Sequence, residues 1–476
     1  MELAGKLNDK EVNIISSVVG ILLTFLLVYV FFNFFKFGLL IFLFLLFNFL
    51  FLMSGKLSFN NIIFFLLFCS ILCPYIQFES IPSIRPELIL IFTAWILFIF
   101  GKFSKRENIQ LKWTSIHKWF FIFGGCILFS ILWSWVVKNL TPIGRDFFEI
   151  GKLIEYFLIF TLVTNLDIKK EDFKKYYIIL ISLFLISAIF GLIQYFDLFH
   201  NFNVAFIKYL NPAHFDDWLR NNRIVGTIGN PNDFGILMAL SSFFVLVGIL
   251  WSKEIDTKLL LFISFLIFVL SIILSFSRSA LICFLAGIFF ILFYKYPKRF
   301  KLKGKIRILF IILPLFIILA LIFLSIAPPT FFLRIKAGMD LGPEGSIWPR
   351  LIKWEAAIDA WKQSPLFGLG PEKGTITSTL DNEWLLLLKR YGIVGFLIFF
   401  VWFFKFYRGI GKIQWLNKDN LFLEIFSISL QVSLIAIGIF MIPAGFYHSL
   451  QTMPILMTLL GIVYSQNNLK KLTFCK

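Results

Sequence analysis

Charge is what this chain has least of. Asp, Glu, Lys and Arg make up 15% of its 476 residues, against about 25% in a soluble domain. With a mean hydropathy of +0.87, that scarcity excludes a soluble globular enzyme and a disordered chain. Cysteine is scarce too. The five residues (Cys69, Cys73, Cys126, Cys283, Cys475) include no CxxC spacing, which excludes a disulfide-rich secreted module. Cys69 and Cys73 lie four apart inside an apolar run and read as buried thiols on one helix face. Acidic residues number 27 against 45 basic ones, a net charge of +18. In a soluble protein that excess suggests nucleic acid. In a membrane protein basic residues collect in cytoplasmic loops, so no nucleic-acid partner is expected.

Apolar residues are abundant, at 59% of the chain with 65 phenylalanines. A spanning helix takes about 20 apolar residues, which leaves room for about 14 spans. Continuous runs such as Leu259–Leu274 do not alternate as strands of a transmembrane barrel would. The predicted fold is an all-α polytopic membrane protein. Its spans are expected near 14–33, 37–53, 60–76, 88–101, 117–137, 152–166, 176–196, 231–251, 259–276, 279–294, 306–327, 384–404, 421–441 and 447–465. The first run is of full spanning length and lacks a small-residue cleavage pattern, so no cleavable signal peptide is expected. Ser275-Phe-Ser-Arg-Ser279 splits one long run into a tight hairpin. No internal repeat is evident.

Loop charge supports the count. With the N-terminus inside, alternate connections carry Lys102/Lys105/Arg106/Lys112, Lys169/Lys170/Lys174/Lys175, Lys253/Lys258, the run Lys295–Arg307 and Lys405/Arg408/Lys412/Lys418. The C-terminal tail adds Lys470, Lys471 and Lys476. These clusters then all face the cytoplasm, as do both termini. Two long connections, about 197–230 and 328–383, fall outside the membrane, and long loops in compact proteins are usually functional. The second carries Ile347, Leu351, Trp354, Ile358 and Trp361 at helical spacing, an amphipathic helix ended by Ser364-Pro365. The chain thus divides into N-terminal spans (1–196), an outer loop (197–230), central spans (231–327), a large outer loop (328–383), and C-terminal spans with a cytoplasmic tail (384–476).

The outward-facing basic residues carry the functional argument. Arg223 precedes Gly226, Gly229 and Asn230-Pro-Asn232 at a helix N-terminus, where N–H groups and the dipole favour an anion; an ordinary capped turn accounts for the same residues. Arg278 sits in the hairpin between two apolar runs, where a guanidinium is expensive and usually functional unless it snorkels. Arg350 heads the amphipathic helix with Lys353 near it, and either binds phosphate bidentately or belongs to a solvated face. Asp381 and Glu383 lie at the mouth of the next span and either accept a proton or cap that helix and favour its dipole. Lys389 and Arg390 follow two turns in. Trp348, Trp354, Trp361 and Trp384 offer flat faces for sugars or interfacial anchors.

These segments resemble the O-antigen ligase and O-antigen polymerase superfamily of bacterial membrane glycosyltransferases. The pieces are Arg223-Ile-Val-Gly-Thr-Ile-Gly-Asn-Pro-Asn-Asp233, Leu274-Ser-Phe-Ser-Arg-Ser-Ala-Leu281, Arg350…Trp354-Glu-Ala-Ala-Ile-Asp-Ala-Trp361 with Ser364-Pro-Leu-Phe-Gly-Leu-Gly-Pro371, and Asp381-Asn-Glu-Trp-Leu…Tyr391-Gly-Ile-Val-Gly395. The resemblance covers about residues 200–400; the first 150 residues show only apolar character. It implies a GT-C-like fold, transfer without a metal or other cofactor, and a polyprenyl-diphosphate-linked oligosaccharide as donor to an acceptor glycan. It puts Arg223, Arg278 and Arg350 at the diphosphate, supported by Asn230, Asn232, Asn382 and Lys353, and Asp381 or Glu383 in the catalytic role. Other implied partners are membrane lipid and a chain-length regulator. The implied location is the bacterial inner membrane, with the site facing the periplasm. The ligases carry a His just before the Asn at the helix mouth, where this chain has Asp381. The sequence Asp381-Asn-Glu383 favours a polymerase over a ligase acting on lipid A-core or protein. The four histidines do not replace the missing one, since His117 is expected in the cytoplasm, His200 and His214 precede the motif and His448 lies near the last span. A lipid-linked-sugar flippase or other transporter is the competing class, for which internal repeats and broken mid-membrane helices are expected.

Reporter fusions after Leu302 and after Thr375 test the topology. The expected outcome is opposite sides of the membrane; the same side for both would break the topology and the outer-face site with it.

Overall fold

A computed structural model describes residues 60–73, 85–104, 111–210, 215, 218, 222–251, 254–295, 348–374 and 380–467. Every regular element among them is helical. In order these are α1 (Asn60–Leu72), α2 (Pro86–Ser104), α3 (Ser115–Lys138), a 3₁₀ turn (Gly144–Phe147), α4 (Phe148–Asn165), α5 (Asp172–Tyr195), α6 (His200–Leu210), α7 (Pro231–Trp251), α8 (Ile255–Leu274), α9 (Arg278–Phe290, continued by a π turn, Ile291–Lys295), α10 (Trp348–Gln363), α11 (Glu383–Leu416), α12 (Leu421–Phe440) and α13 (Thr452–Tyr464). Among the described residues, seven helices are long and apolar enough to cross a membrane: α3, α5, α7, α8, α9 with its π turn, α11 and α12. This is the pattern of a polytopic membrane protein. The expected spans 14–33, 37–53 and 306–327 lie outside the described residues, and each of the others overlaps a helix.

Helix α7 is the central post. Its most apolar window is 89% buried, against 33% for α3, and it packs on α8, α9 and α12. Around it α11 packs on α3, α10 and α12, and α13 packs on α4. Outward faces keep large apolar residues exposed, among them Phe121 and Leu132 on α3, Leu260 on α8 and Phe289 on α9. Exposed apolar surface on this scale suits lipid and not water.

Alternate connections gather at two poles. At one, Asn420 Nδ2 bonds the Lys170 carbonyl at 2.7 Å and Gln466 Nε2 bonds the Ile168 carbonyl at 2.6 Å. At the other, the Arg223 loop, the 275–277 hairpin, the segment around 364–374 and the 441–451 connection meet. The hairpin forms as expected: Ser277 caps α9 by accepting from Ala280 N at 3.3 Å, and Phe276 takes a left-handed φ of 50°.

Three expectations change. The span expected at 384–404 continues as helix to Leu416, because Lys405, Arg408 and Lys412 sit in good helical company rather than in a loop. The span expected at 447–465 starts only at Thr452, so His448 lies in a connection and not in a helix. The amphipathic helix is present as α10, but only Trp354 and Ala357 pack inward, with Leu380 and Leu386; Leu351 and Ile358 of the expected stripe stay exposed.

Helix α11 is broken at Gly392, with φ 64° and ψ −171°. The break is filled by the turn-rich segment after α10. Leu369 N and Gly370 N donate to the carbonyls of Lys389 and Arg390 at 3.0 and 2.9 Å, while Ile393 N and Val394 N donate to those of Pro365 and Leu366 at 2.9 and 3.2 Å. Two glycines make this approach possible. A Cβ on Gly368 would lie 2.3 Å from the Arg390 carbonyl oxygen, and one on Gly392 would lie 2.3 Å from the Leu366 carbonyl carbon.

Gly392→Ala is therefore expected to lower thermal stability in detergent. The left-handed backbone alone should cost about 1–3 kcal/mol, and the overlap with backbone atoms adds to it. Gly125→Ala, where an added Cβ meets nothing within 4 Å, should be neutral or slightly stabilising. Equal melting temperatures for the two variants would contradict this packing.

Candidate functional site

The pole containing the break holds a dense set of buried charges. Helix α4 begins there, and Glu149 in its first turn is fully buried. Its carboxylate faces cations from several segments. Lys152 lies at 3.4 Å and Arg390 Nη1 at 3.4 Å; Lys373 Nζ is a still closer partner. His448 Nε2 lies 2.9 Å from Glu149 Oε2, close to it but off the line of a hydrogen bond. The other ring nitrogen of His448, Nδ1, is paired with Glu383. Arg390 Nη1 also lies 2.6 Å from His448 Nε2. His448 thus stands between two buried carboxylates.

Local sequence explains how these groups are held. Asp146 in the 3₁₀ turn accepts from Ile143 N and Lys373 N, both at 2.9 Å, which ties the 372–374 segment to the head of α4. The break at Gly392 frees the end of the first half of α11, where Lys389 pairs with Glu372 at 3.0 Å. Glu383 also fixes the 441–451 connection. Its N–H donates to the Met441 carbonyl at 2.9 Å, and its Oε2 accepts from Phe446 N at 2.9 Å. Two turns along α4, Glu155 pairs with Arg85, which also bonds the Leu450 carbonyl; Glu87 lies 3.3 Å from Arg85.

The expected site residues divide into two groups. Arg350 Nε pairs with Asp381 Oδ2 at 3.1 Å, with side chains 31% and 52% exposed. Asp381 is not the helix cap, because Asn382 supplies it, accepting from Leu385 N at 3.0 Å. Lys353 is exposed on α10. In the second group Arg223 is buried, with Nε donating to the Ser275 carbonyl at 2.7 Å and Nη2 to Asn232 Oδ1 at 2.7 Å. Asn230 Oδ1 accepts from Asn232 N at 2.8 Å and from Asp233 N at 3.4 Å, so it serves as the cap of α7. The loop is further held by Gln194, whose Oε1 accepts from Val225 N and Gly226 N at 3.1 and 2.9 Å. Arg278 is exposed in the first turn of α9. The 441–451 connection reaches the second group, where Ser449 Oγ donates to Asp233 Oδ2 at 2.8 Å.

Several residues escaped the sequence reading. Glu149 and Arg85 fall where the sequence shows only apolar character, and His448 falls at the edge of the last expected span. A signal for Glu149 was present: Glu149, Lys152 and Glu155 recur every three residues on one helix face in an otherwise apolar stretch. Other histidines have local partners. His117 Nδ1 lies 2.9 Å from both Thr114 N and Thr114 Oγ1. His200 pairs with Asp197, whose carboxyl is held below its usual range by the Asn203 side-chain hydrogen bond and by His200. Trp384 is not a free sugar platform, since its Nε1 donates to the Gly438 carbonyl at 2.9 Å and its ring packs on Phe396 and Phe399. Among the described residues no group of three or more His, Cys, Asp or Glu is arranged to hold a metal ion.

Residues 263–400 match the family model described as O-Antigen ligase. The match supports the relation to the O-antigen ligase and polymerase superfamily, and it spans Arg278, Arg350, Lys353, Asp381, Asn382, Glu383 and the interlocked break of α11. Arg223, Glu149 and His448 lie beyond its limits. No curated protein matches the chain.

Removing His448 leaves Glu149 and Glu383 buried with one partner fewer. His448→Leu is expected to cost about 3–5 kcal/mol, the usual penalty for breaking a buried pair from one side. Adding Glu383→Gln should restore part of it. Thermal unfolding of the purified single and double variants checks this; a silent His448→Leu would contradict the pairing.

Proposed function

We propose that the chain is a membrane glycosyltransferase that polymerises glycan repeat units at the outer face of the bacterial inner membrane, with a polyprenyl-diphosphate-linked oligosaccharide as donor. The observation that carries this reading is the Arg350–Asp381 pair. It is an accessible cation beside an accessible carboxylate, at the mouth of α11, inside the segment that matches the ligase family. The acceptor hydroxyl oxygen attacks the anomeric carbon, the bond from that carbon to the diphosphate oxygen breaks, and the hydroxyl proton passes to the Asp381 carboxylate. The leaving diphosphate gains charge as the bond breaks, so cations already in place lower the barrier. Arg278 and Arg350 are accessible enough to meet it, with Lys353 on the same helix as Arg350. Arg223, buried against the hairpin, acts from behind by fixing the segment that carries Arg278. Glu383 is fully buried and its carboxylate is engaged by His448 and Phe446 N–H, which favours Asp381 as the base and makes Glu383 a positioning residue. Transfer to lipid A-core or to a protein is the alternative acceptor chemistry. The Asp381-Asn-Glu383 sequence, in place of a His before the Asn, favours polymerisation.

Asp381→Asn tests the assignment without loss of a helix cap, since Asn382 holds that place. Membranes supplied with lipid-linked repeat units should make polymer about 10²–10⁴-fold more slowly, the usual contribution of a positioned general base, at unchanged protein level. Arg350→Lys should also lose most activity, because a point charge does not replace a bidentate fork. Long chains from the Asn variant would remove Asp381 from the mechanism. Product only when a lipid A-core acceptor is supplied would convert the polymerase reading to ligase.

A further inference from the structure

The opposite pole holds a cavity of about 480 Å³ whose wall includes Lys295, Lys418, Gln431, Gly411, Trp415 and Glu424. That volume lies in the range of small-ligand pockets, about 300–1,000 Å³. Its polar wall is built and not incidental. Gln431 is 3% exposed in the mainly apolar helix α12, and a buried amide is tolerated only when its hydrogen bonds are made. They are made on both sides: Oε1 accepts from Lys295 Nζ, and Nε2 donates to the Tyr407 carbonyl at 3.0 Å. The absence of a side chain at Gly411 makes room for it, since a Cβ there would lie 2.7 Å from Gln431 Nε2. Lys295 closes the π turn Ile291–Lys295, a rare geometry that recurs at functional sites. Here it delivers the ammonium to Gln431, near the Tyr294 and Tyr407 rings at 5.8 and 6.0 Å.

The second cation comes from the connection that follows α11. Lys418 Nζ sits 5.6 Å from the Trp415 ring, and both side chains are exposed at the rim. An exposed Trp beside Lys is the arrangement found at head-group depth. Two ammonium groups face one carboxylate on the wall, so the cavity attracts anions. This is also the pole to which the charge pattern of the loops assigns the cytoplasm, where anionic lipids concentrate basic segments. We propose that this cavity binds the phosphate head group of an anionic phospholipid, with Lys295 and Lys418 as its cationic contacts and Trp415 at the lipid–water boundary. Nothing in this site depends on the glycosyl-transfer reading.

Native mass spectrometry of the full chain tests it, after delipidation and re-addition of phosphatidylglycerol, phosphatidylcholine or inorganic phosphate. Wild-type protein should retain phosphatidylglycerol in preference to phosphatidylcholine. Lys418→Gln, at an exposed position that does not bear on folding, should weaken retention about fivefold, the worth of roughly one surface lysine near anionic lipid. Gly411→Ala should weaken it too, by displacing Gln431 and with it Lys295 while removing no charge. Lys258→Gln, off the cavity wall, should leave it unchanged. Equal retention of phosphatidylglycerol by wild type and Lys418→Gln would overturn the proposal. So would displacement of the lipid by inorganic phosphate at equal concentration, which would make the site one for a free anion.

Discussion

A carboxylate taken out of water must be met by positive charge, and Glu149 imposes that condition on one whole pole of the molecule. Its burial is complete, and an ion isolated there would cost several kcal/mol. The groups that meet it come from four separate places: Lys152 from its own helix, Lys373 from the segment after α10, Arg390 from the break in α11, and His448 from the connection before α13. Each of these brings its backbone along. The head of α4 is therefore the point about which the outer connections are registered, and Glu155 with Arg85 repeats the device two turns deeper. Apolar packing between helices is nearly indifferent to sliding when lipid surrounds the bundle. Paired charges are not, because a shift of one turn separates them.

The helices themselves were legible, because a span announces itself through an uninterrupted apolar run, and the hairpin through Ser275–Ser279. What remained hidden depends on contacts between distant segments. Asp381 and Asn382 are both good caps by residue type, and only the approach of Arg350 decides that Asn382 takes the cap while Asp381 turns outward. His448 looked like part of a span because Phe446 and Tyr447 extend the apolar character backwards; the carboxylates of Glu383 and Glu149 hold it in a connection instead. The turn-rich segment Ser364–Pro371 and the Tyr391-Gly-Ile-Val-Gly395 stretch were visible as separate motifs. Their meaning is joint, since Gly368 and Gly392 are the two positions where the backbones touch. No single-segment pattern carries that information.

The break in α11 bears on the competing class as well. Interrupted membrane helices in transporters leave backbone groups open to coordinate substrate and ions. In this chain the carbonyls of Lys389 and Arg390 and the N–H groups of Ile393 and Val394 are already taken by residues 365–370. The interruption is stitched to a second segment, which makes it a rigid joint. Its evident product is the placement of Lys389 and Arg390, with the Arg390 guanidinium delivered to Glu149 and His448.

Rigidity of that kind suits an enzyme whose work is electrostatic. Charge developing on a leaving diphosphate is stabilised most by groups that need no reorganisation when it forms. The buried set of Glu149, Glu383, Arg390 and His448 is paired within itself and with Lys152 and Lys373, so it acts as framework. In the proposed mechanism the half-exposed Arg350–Asp381 pair is where the donor enters, exchanging one carboxylate contact for a phosphate oxygen while water covers the cost at the rim. Separating the two populations, one buried and mutually paired, the other accessible and exchangeable, is what the proposed chemistry needs for the same pole to be both stable and reactive. On that proposal, an incoming diphosphate that takes over the Arg350 contact frees the Asp381 carboxylate beside the bond to be made, so donor binding itself readies the group proposed to take the proton.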